Sequence, residues 1–125
     1  MLVPTRELSQ QIADVFAQIG KKTPVKILGL YGGVEQEKQI ETLKKGVDVL
    51  VSTPGRMFDL IAQGHLNVEN VEYLVLDEAD RLLDLDFGPI IDKLLKVIPK
   101  ERNTFLFSAT LSTKVEKLQR ASLNK

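Results

Sequence analysis

Val71-Glu72-Tyr73-Leu74-Val75-Leu76, followed without a break by Asp77-Glu78-Ala79-Asp80, is the stretch from which this 125-residue chain is best read. The apolar run has the length and β-rich composition of a strand buried on both faces. Three carboxylates then fall within four residues, where such a strand must end. Acids at the carboxyl end of a buried strand are a common α/β device for holding a magnesium ion beside a phosphate. Taken alone, the same four residues also suit a solvated acidic turn in which Asp77 or Asp80 caps a helix.

Working outward, short apolar runs alternate with amphipathic segments, the pattern of a parallel sheet covered by helices. Upstream, Met1-Leu2-Val3 reads as the tail of a strand ended by Pro4, with Thr5 capping the helix that follows. That helix should turn Leu8, Ile12, Val15, Phe16 and Ile19 inward and end at Gly20. Val25 to Tyr31 is the next strand, stopped by Gly32-Gly33 and followed by a polar helix from about Val34 to Lys44, anchored by Val34, Ile40 and Leu43. Val47 to Ser52 is a third strand, broken by Thr53-Pro54-Gly55, and a helix from about Arg56 to Gln63 ends at Gly64. Downstream of the acids, Phe87, Ile90, Ile91, Leu94, Leu95 and Ile98 mark an amphipathic helix with Pro89 in its first turn. Thr104 to Phe107 is a fifth strand ending at Ser108-Ala109-Thr110, and a last helix carries Val115 and Leu118 inward. The expected fold is therefore α/β, with about five parallel strands and flanking helices. Every strand ends in a polar or glycine-rich signature, and in a parallel sheet those ends share the edge where open α/β folds bind ligands.

The composition narrows the chemistry. The chain is 43% hydrophobic and 27% charged, with 17 basic and 17 acidic residues, so it is not a polyanion-coating protein. A local phosphate-binding face needs only a few placed donors and stays open. With no cysteine, disulfides, thiolate zinc sites and cysteine nucleophiles are excluded. No apolar stretch approaches a membrane span and no signal peptide precedes the first motif, so a cytoplasmic or nuclear location is expected. Gly20-Lys21-Lys22-Thr23 superficially suggests a phosphate loop, but Val15 stands where its first glycine should be, and it follows a helix rather than a strand. His65, beside Gly64, reads as a solvated turn residue, and Asp84 and Asp86 as exposed acids.

Together these segments resemble the first RecA-like domain of DEAD-box ATP-dependent RNA helicases. Pro4-Thr5-Arg6-Glu7-Leu8 is similar to the family's motif Ia, Gly32-Gly33 to its glycine doublet and Thr53-Pro54-Gly55-Arg56 to motif Ib. Asp77-Glu78-Ala79-Asp80 corresponds to motif II and Ser108-Ala109-Thr110 to motif III. Ser9 is a small departure, since the family often has alanine there. The resemblance implies ATP and Mg2+ as cofactors, with Asp77 holding the magnesium ion through water and Glu78 orienting or deprotonating the attacking water. It implies that Asp80 is tied to Ser108 and Thr110, whose hydroxyls can each donate to a carboxylate. It further implies that Thr5, Arg6, Gly32, Gly33, Thr53, Gly55 and Arg56 contact the backbone of single-stranded RNA, binding without sequence preference and weakening with salt.

No stretch of the 125 residues matches the phosphate loop G-x-x-x-x-G-K-[ST], and the family's second RecA-like domain is not among them. Residues 1–125 thus read as a truncated helicase ATP-binding domain: an enzyme by family, but without ATPase activity as an isolated chain. The alternative is a non-catalytic RNA-binding or self-assembling module derived from the helicase core. A metal-dependent nuclease using the same carboxylates is disfavoured, because the other strand-end motifs match a helicase. The family's sheet order also implies that Thr104 to Phe107 is an uncovered edge, open to self-association.

Overall fold

The computed structural model describes residues 1–30 and 36–123. Its strands are β1 (Ile27–Gly29), β2 (Val49–Val51), β3 (Tyr73–Leu76) and β4 (Asn103–Leu106). β1 pairs with β2 and β3 with β4, both in parallel. Leu2 joins the two pairs by parallel bridges to Ser52 and Leu76, so the order is β1, β2, the Leu2 segment, β3, β4. The expected parallel sheet is present, with each strand shorter than its apolar run. Val25 and Val71, for example, lie outside the ladders.

Six helices complete the described chain: α1 (Arg6–Ile19), α2 (Gln36–Lys45), α3 (Pro54–Ala62), α4 (Ala79–Asp84), α5 (Gly88–Val97) and α6 (Thr113–Leu123). The short α4 was not anticipated, because its only apolar signal is Leu82-Leu83 beside three charged residues. Pro54 and Pro89 both occupy first-turn positions, where a missing N–H costs nothing. On one side of the sheet, Leu2, Leu74 and Leu76 pack with Met57 of α3, Leu82 of α4, Ile91 and Leu94 of α5, and Leu118 of α6. This is the main core; the inward positions expected for α5 and Leu118 of α6 lie in it or against it, while Val115 is buried outside it.

α1 lies on the opposite side, against β1 and β2. Here the sequence reading needs correction: Val15 and Ile19 are 53% and 76% exposed, and Ser9 is fully buried. The reason lies in β1. A Cβ built on Gly29 would meet the Ala13 Cβ at 2.8 Å and the Ser9 carbonyl at 3.2 Å. Glycine in the strand draws the helix so close that its small residues, Ser9 and Ala13, form the contact line, and the larger apolar side chains fall on its flank. The Ser9 hydroxyl then lies 3.1 Å from the Leu30 carbonyl and 2.9 Å from that of Val51, acting as donor to both strand ends.

The acidic strand also departs from burial on both faces. Leu74 and Leu76 are buried, but Tyr73 is 62% exposed. Register places Tyr73 and Val75 on the same face as Phe105, which is 47% exposed. α1 covers only the β1–β2 half of that face, so the β3–β4 half is open among the described residues.

Candidate nucleotide and RNA edge

The carboxyl ends of the strands come together along one edge. The acidic turn there is fastened on both flanks. Asp77 donates its N–H to the Leu2 carbonyl at 3.0 Å, and Ala79 donates to the Phe107 carbonyl at 2.9 Å. Between these anchors Glu78 takes a left-handed backbone conformation (φ 51°, ψ 52°), unusual for a residue with a side chain. Its N–H donates to Asp77 Oδ1 at 2.9 Å. The αL turn lets the chain leave β3 and enter α4 at once, so the two carboxylates stand where strand becomes helix. The Glu78 carboxylate pairs with Arg81 Nη1 at 3.6 Å, with the two side chains 40% and 54% exposed, a pair that solvent screens strongly.

Asp80 is bound to the end of β4. Thr110 Oγ1 donates to Asp80 Oδ2 at 3.1 Å, and the Arg81 N–H donates to Oδ1 at 3.0 Å. Ser108 acts differently from expectation: its hydroxyl accepts from the Asp80 N–H at 3.2 Å. Desolvation alone would raise the Asp80 pKa, but hydrogen bonds from Thr110 and the Arg81 N–H, with the Ser108 hydroxyl beside them, outweigh it and hold the carboxyl below its usual range. Asp77, Glu78, Asp80, Ser108 and Thr110 are therefore gathered in one place.

The other half of the edge begins at α1. Thr5 is its N-cap, accepting from the Leu8 N–H at 3.2 Å, and Arg6 is its exposed first residue. Thr53 is extended and precedes α3 without a side-chain cap bond. Among the described residues Gly55, in the first turn of α3, has no close neighbour: a Cβ there would come no nearer than 4.0 Å to Phe87. The fold does not itself require glycine at this position. Arg56 is half-buried, and its Nη2 donates to Gln39 Oε1 at 3.4 Å, while its Nε is buried without a hydrogen-bond partner among the described residues. Gln39 is a contributor that sequence reasoning missed, since a buried glutamine in a polar helix carries no periodic signal. Gly32 and Gly33 lie outside the described residues.

Among the described residues no three His, Cys, Asp or Glu side chains converge as a metal cage. Asp77 instead presents one carboxylate with Oδ1 already accepting from Glu78, leaving Oδ2 as the freer oxygen. That donor set fits a hydrated magnesium ion held through water beside a phosphate, the usual manner for this cation. Gly20, the false start of a phosphate loop, is the C-cap of α1, and Thr23 Oγ1 donates to its carbonyl at 2.7 Å.

A parallel α/β domain with a clamped acidic turn and polar strand ends on one edge fits the class of RecA-like domains. Comparison with known proteins narrows this. The sequence model described as DEAD/DEAH box helicase matches residues 1–118, and the chain belongs to that family. An ATP-dependent rRNA helicase, rrp3, of Schizosaccharomyces pombe is 53% identical over 125 residues, covering 99% of this chain and 27% of that protein. The Aspergillus oryzae protein of the same name is 52% identical over 124 residues, with 98% and 26% covered. The chain thus spans about a quarter of the length of the curated relatives it matches. Among solved structures, a DEAD box protein from the hyperthermophile Methanococcus jannaschii superposes with a TM-score of 0.89 at 39% identity, over 95% of this chain and 32% of that one. The yeast DEAD-box splicing factor Prp28 gives 0.87 at 35% identity, over 94% and 29%. No helix among the described residues is long and apolar enough to cross a membrane.

Proposed function

We propose that residues 1–125 act as part of the first RecA-like domain of an ATP-dependent RNA helicase, supplying one wall of the nucleotide site and part of the RNA track. The observation that carries this reading is the bridge from Asp80 to Thr110 and Ser108, which joins the acidic turn to the end of β4. ATP with Mg2+ would supply the phosphoryl group whose transfer to water drives remodelling of RNA duplexes or RNA–protein complexes. Asp77 would hold the hydrated ion through its carboxylate. Glu78 would accept a hydrogen bond from the attacking water and align it. Asp80, kept ionised by its donors, would lock the turn to β4 and leave the two preceding acids in fixed positions. The similarity to rRNA helicases supports a cytoplasmic or nuclear setting.

Thr5, Arg6, Gly32, Gly33, Thr53, Gly55 and Arg56 would hold single-stranded RNA by phosphate and ribose. Helix N-termini and guanidinium groups suit phosphate, so nearly all of these contacts would read the backbone rather than the bases. Gly55→Ala is the sharp test. The surroundings of Gly55 leave room for the methyl group, so the chain should keep its fold while RNA affinity drops by about tenfold, read by fluorescence anisotropy. Unchanged affinity for RNA in a folded Gly55→Ala chain would remove α3 from the track.

Because no G-x-x-x-x-G-K-[ST] loop occurs in these residues, the isolated chain should release no phosphate from ATP, with or without RNA. RNA-stimulated release that Glu78→Gln abolishes would overturn this expectation. A second reading, a non-catalytic RNA-binding or self-assembling module, is favoured by one observation: the β3–β4 half of the sheet carries exposed aromatic residues beside an edge that is unpaired among the described residues.

A further inference from the structure

Helices α2 and α3 follow the paired parallel strands β1 and β2, so both begin on the carboxyl edge of the sheet. Gln39 lies near the start of α2, and Arg56 in the first turn of α3. The burial of α2 is inverted with respect to polarity. Ile40 and Leu43, its apolar anchors, are only half-buried, whereas Gln39 is 6% exposed. A side-chain amide is costly to bury unless its polar atoms are answered. A helix that buries its glutamine more deeply than its isoleucine and leucine does so for what the amide holds.

What it holds is Arg56. The Arg56 Nη2 donates to Gln39 Oε1 at 3.4 Å, a long bond that steers more than it grips. Nε and Nη2 share the side edge of the guanidinium plane, and Nε is buried without a partner among the described residues. That edge therefore faces inward, toward Gln39. The two Nη groups form a second fork at the tip of the plane. Nη1 is not enclosed as Nε is. Among the described residues no carboxylate pairs with Arg56. A neutral carbonyl thus orients the guanidinium and leaves its positive charge whole.

We propose that Gln39 is a positioning residue for RNA: it holds the side edge of the Arg56 guanidinium, so that the fork at the tip meets a backbone phosphate. The proposal rests on the reading that places Arg56 on the RNA track. A fork presented end-on can give two parallel hydrogen bonds to two phosphate oxygens, provided its plane is fixed beforehand. Gln39 supplies that fixing from a neighbouring helix, without touching RNA itself. An amide suits the task better than an acid, because a carboxylate at the same place would compete with the phosphate for Arg56.

The test uses the 125-residue chain and fluorescein-labelled oligouridylate, read by anisotropy over a series of salt concentrations. Arg56→Ala should weaken binding and lower the salt slope by about 0.7, the loss of one phosphate contact. Gln39→Met leaves the charge of the protein unchanged, yet it should weaken binding by about fivefold and lower the slope by the same amount. Placed in the Arg56→Ala protein, Gln39→Met should do nothing further. Circular dichroism checks that each variant is folded. If Gln39→Met fails to fold, the isosteric Gln39→Glu takes its place and should give the same loss of slope. An unchanged slope, or effects of Gln39→Met and Arg56→Ala that simply add, would overturn the role of Gln39 while leaving Arg56 on the track. No loss in Arg56→Ala, or no RNA binding by the unaltered chain, would overturn the reading beneath it and the proposal together.

Discussion

Ser9 shows how one hydroxyl can organise a neighbourhood. It is fully buried and reaches the last carbonyls of two strands, so Ser9→Ala should cost about 1–2 kcal/mol in denaturant unfolding, although alanine is common there in the family. This bond has no signature in the residue pattern, because nothing there says that Gly29 lies opposite. Asp80 and Thr110 are the opposite case: the family resemblance implies their pairing, and the structure places them 3.1 Å apart. The Asp80 pKa is depressed, so its contribution to stability is present above the unfolded carboxyl value and is lost as pH falls through the lower folded value. Thr110→Val should move that titration back upward, visible as a shifted carboxyl resonance in an NMR titration.

Among the elements, α1 and β1 illustrate what periodicity can and cannot deliver. A repeat of apolar residues located the helix to within a residue, and Thr5 and Gly20 set its ends as capping chemistry requires. Which face it buries was misread, because hydrophobic periodicity assumes that large side chains make the contact. Here the contact is made by Ser9 and Ala13 against Gly29, a close approach that only small residues permit. Gly29→Ala should force α1 away from the sheet and destabilise the chain by about 1–3 kcal/mol, measured by thermal or urea unfolding. The strands were found at the right places and trimmed at their ends, since an apolar run outlasts the ladder wherever neighbouring strands stop. α4 escaped notice because six residues are too few for a 3.6-residue repeat to show.

At the scale of the whole molecule, the sheet order and parallel sense were implied by the family resemblance and its strand-end signatures. What those could not supply was the exposure of the β3–β4 half of one face. Tyr73, Phe105 and Phe107 stand open there, and β4 forms the outer strand of the described sheet. An apolar edge of this kind invites pairing with another chain. Sedimentation should therefore show concentration-dependent association, and Phe105→Lys should suppress it without altering the far-ultraviolet circular dichroism. A monomer at all concentrations would assign that face to solvent.

The fastening of the acidic turn has one more consequence. With Asp77 held to Leu2, Ala79 to Phe107 and Asp80 to Ser108, the backbone beneath Glu78 has nowhere to travel. Only rotation of its own side-chain bonds can change where that carboxylate arrives. Reach therefore becomes a fixed dimension of the molecule: shortening the arm by one methylene, as in Glu78→Asp, is a gap that no shift of the main chain can close.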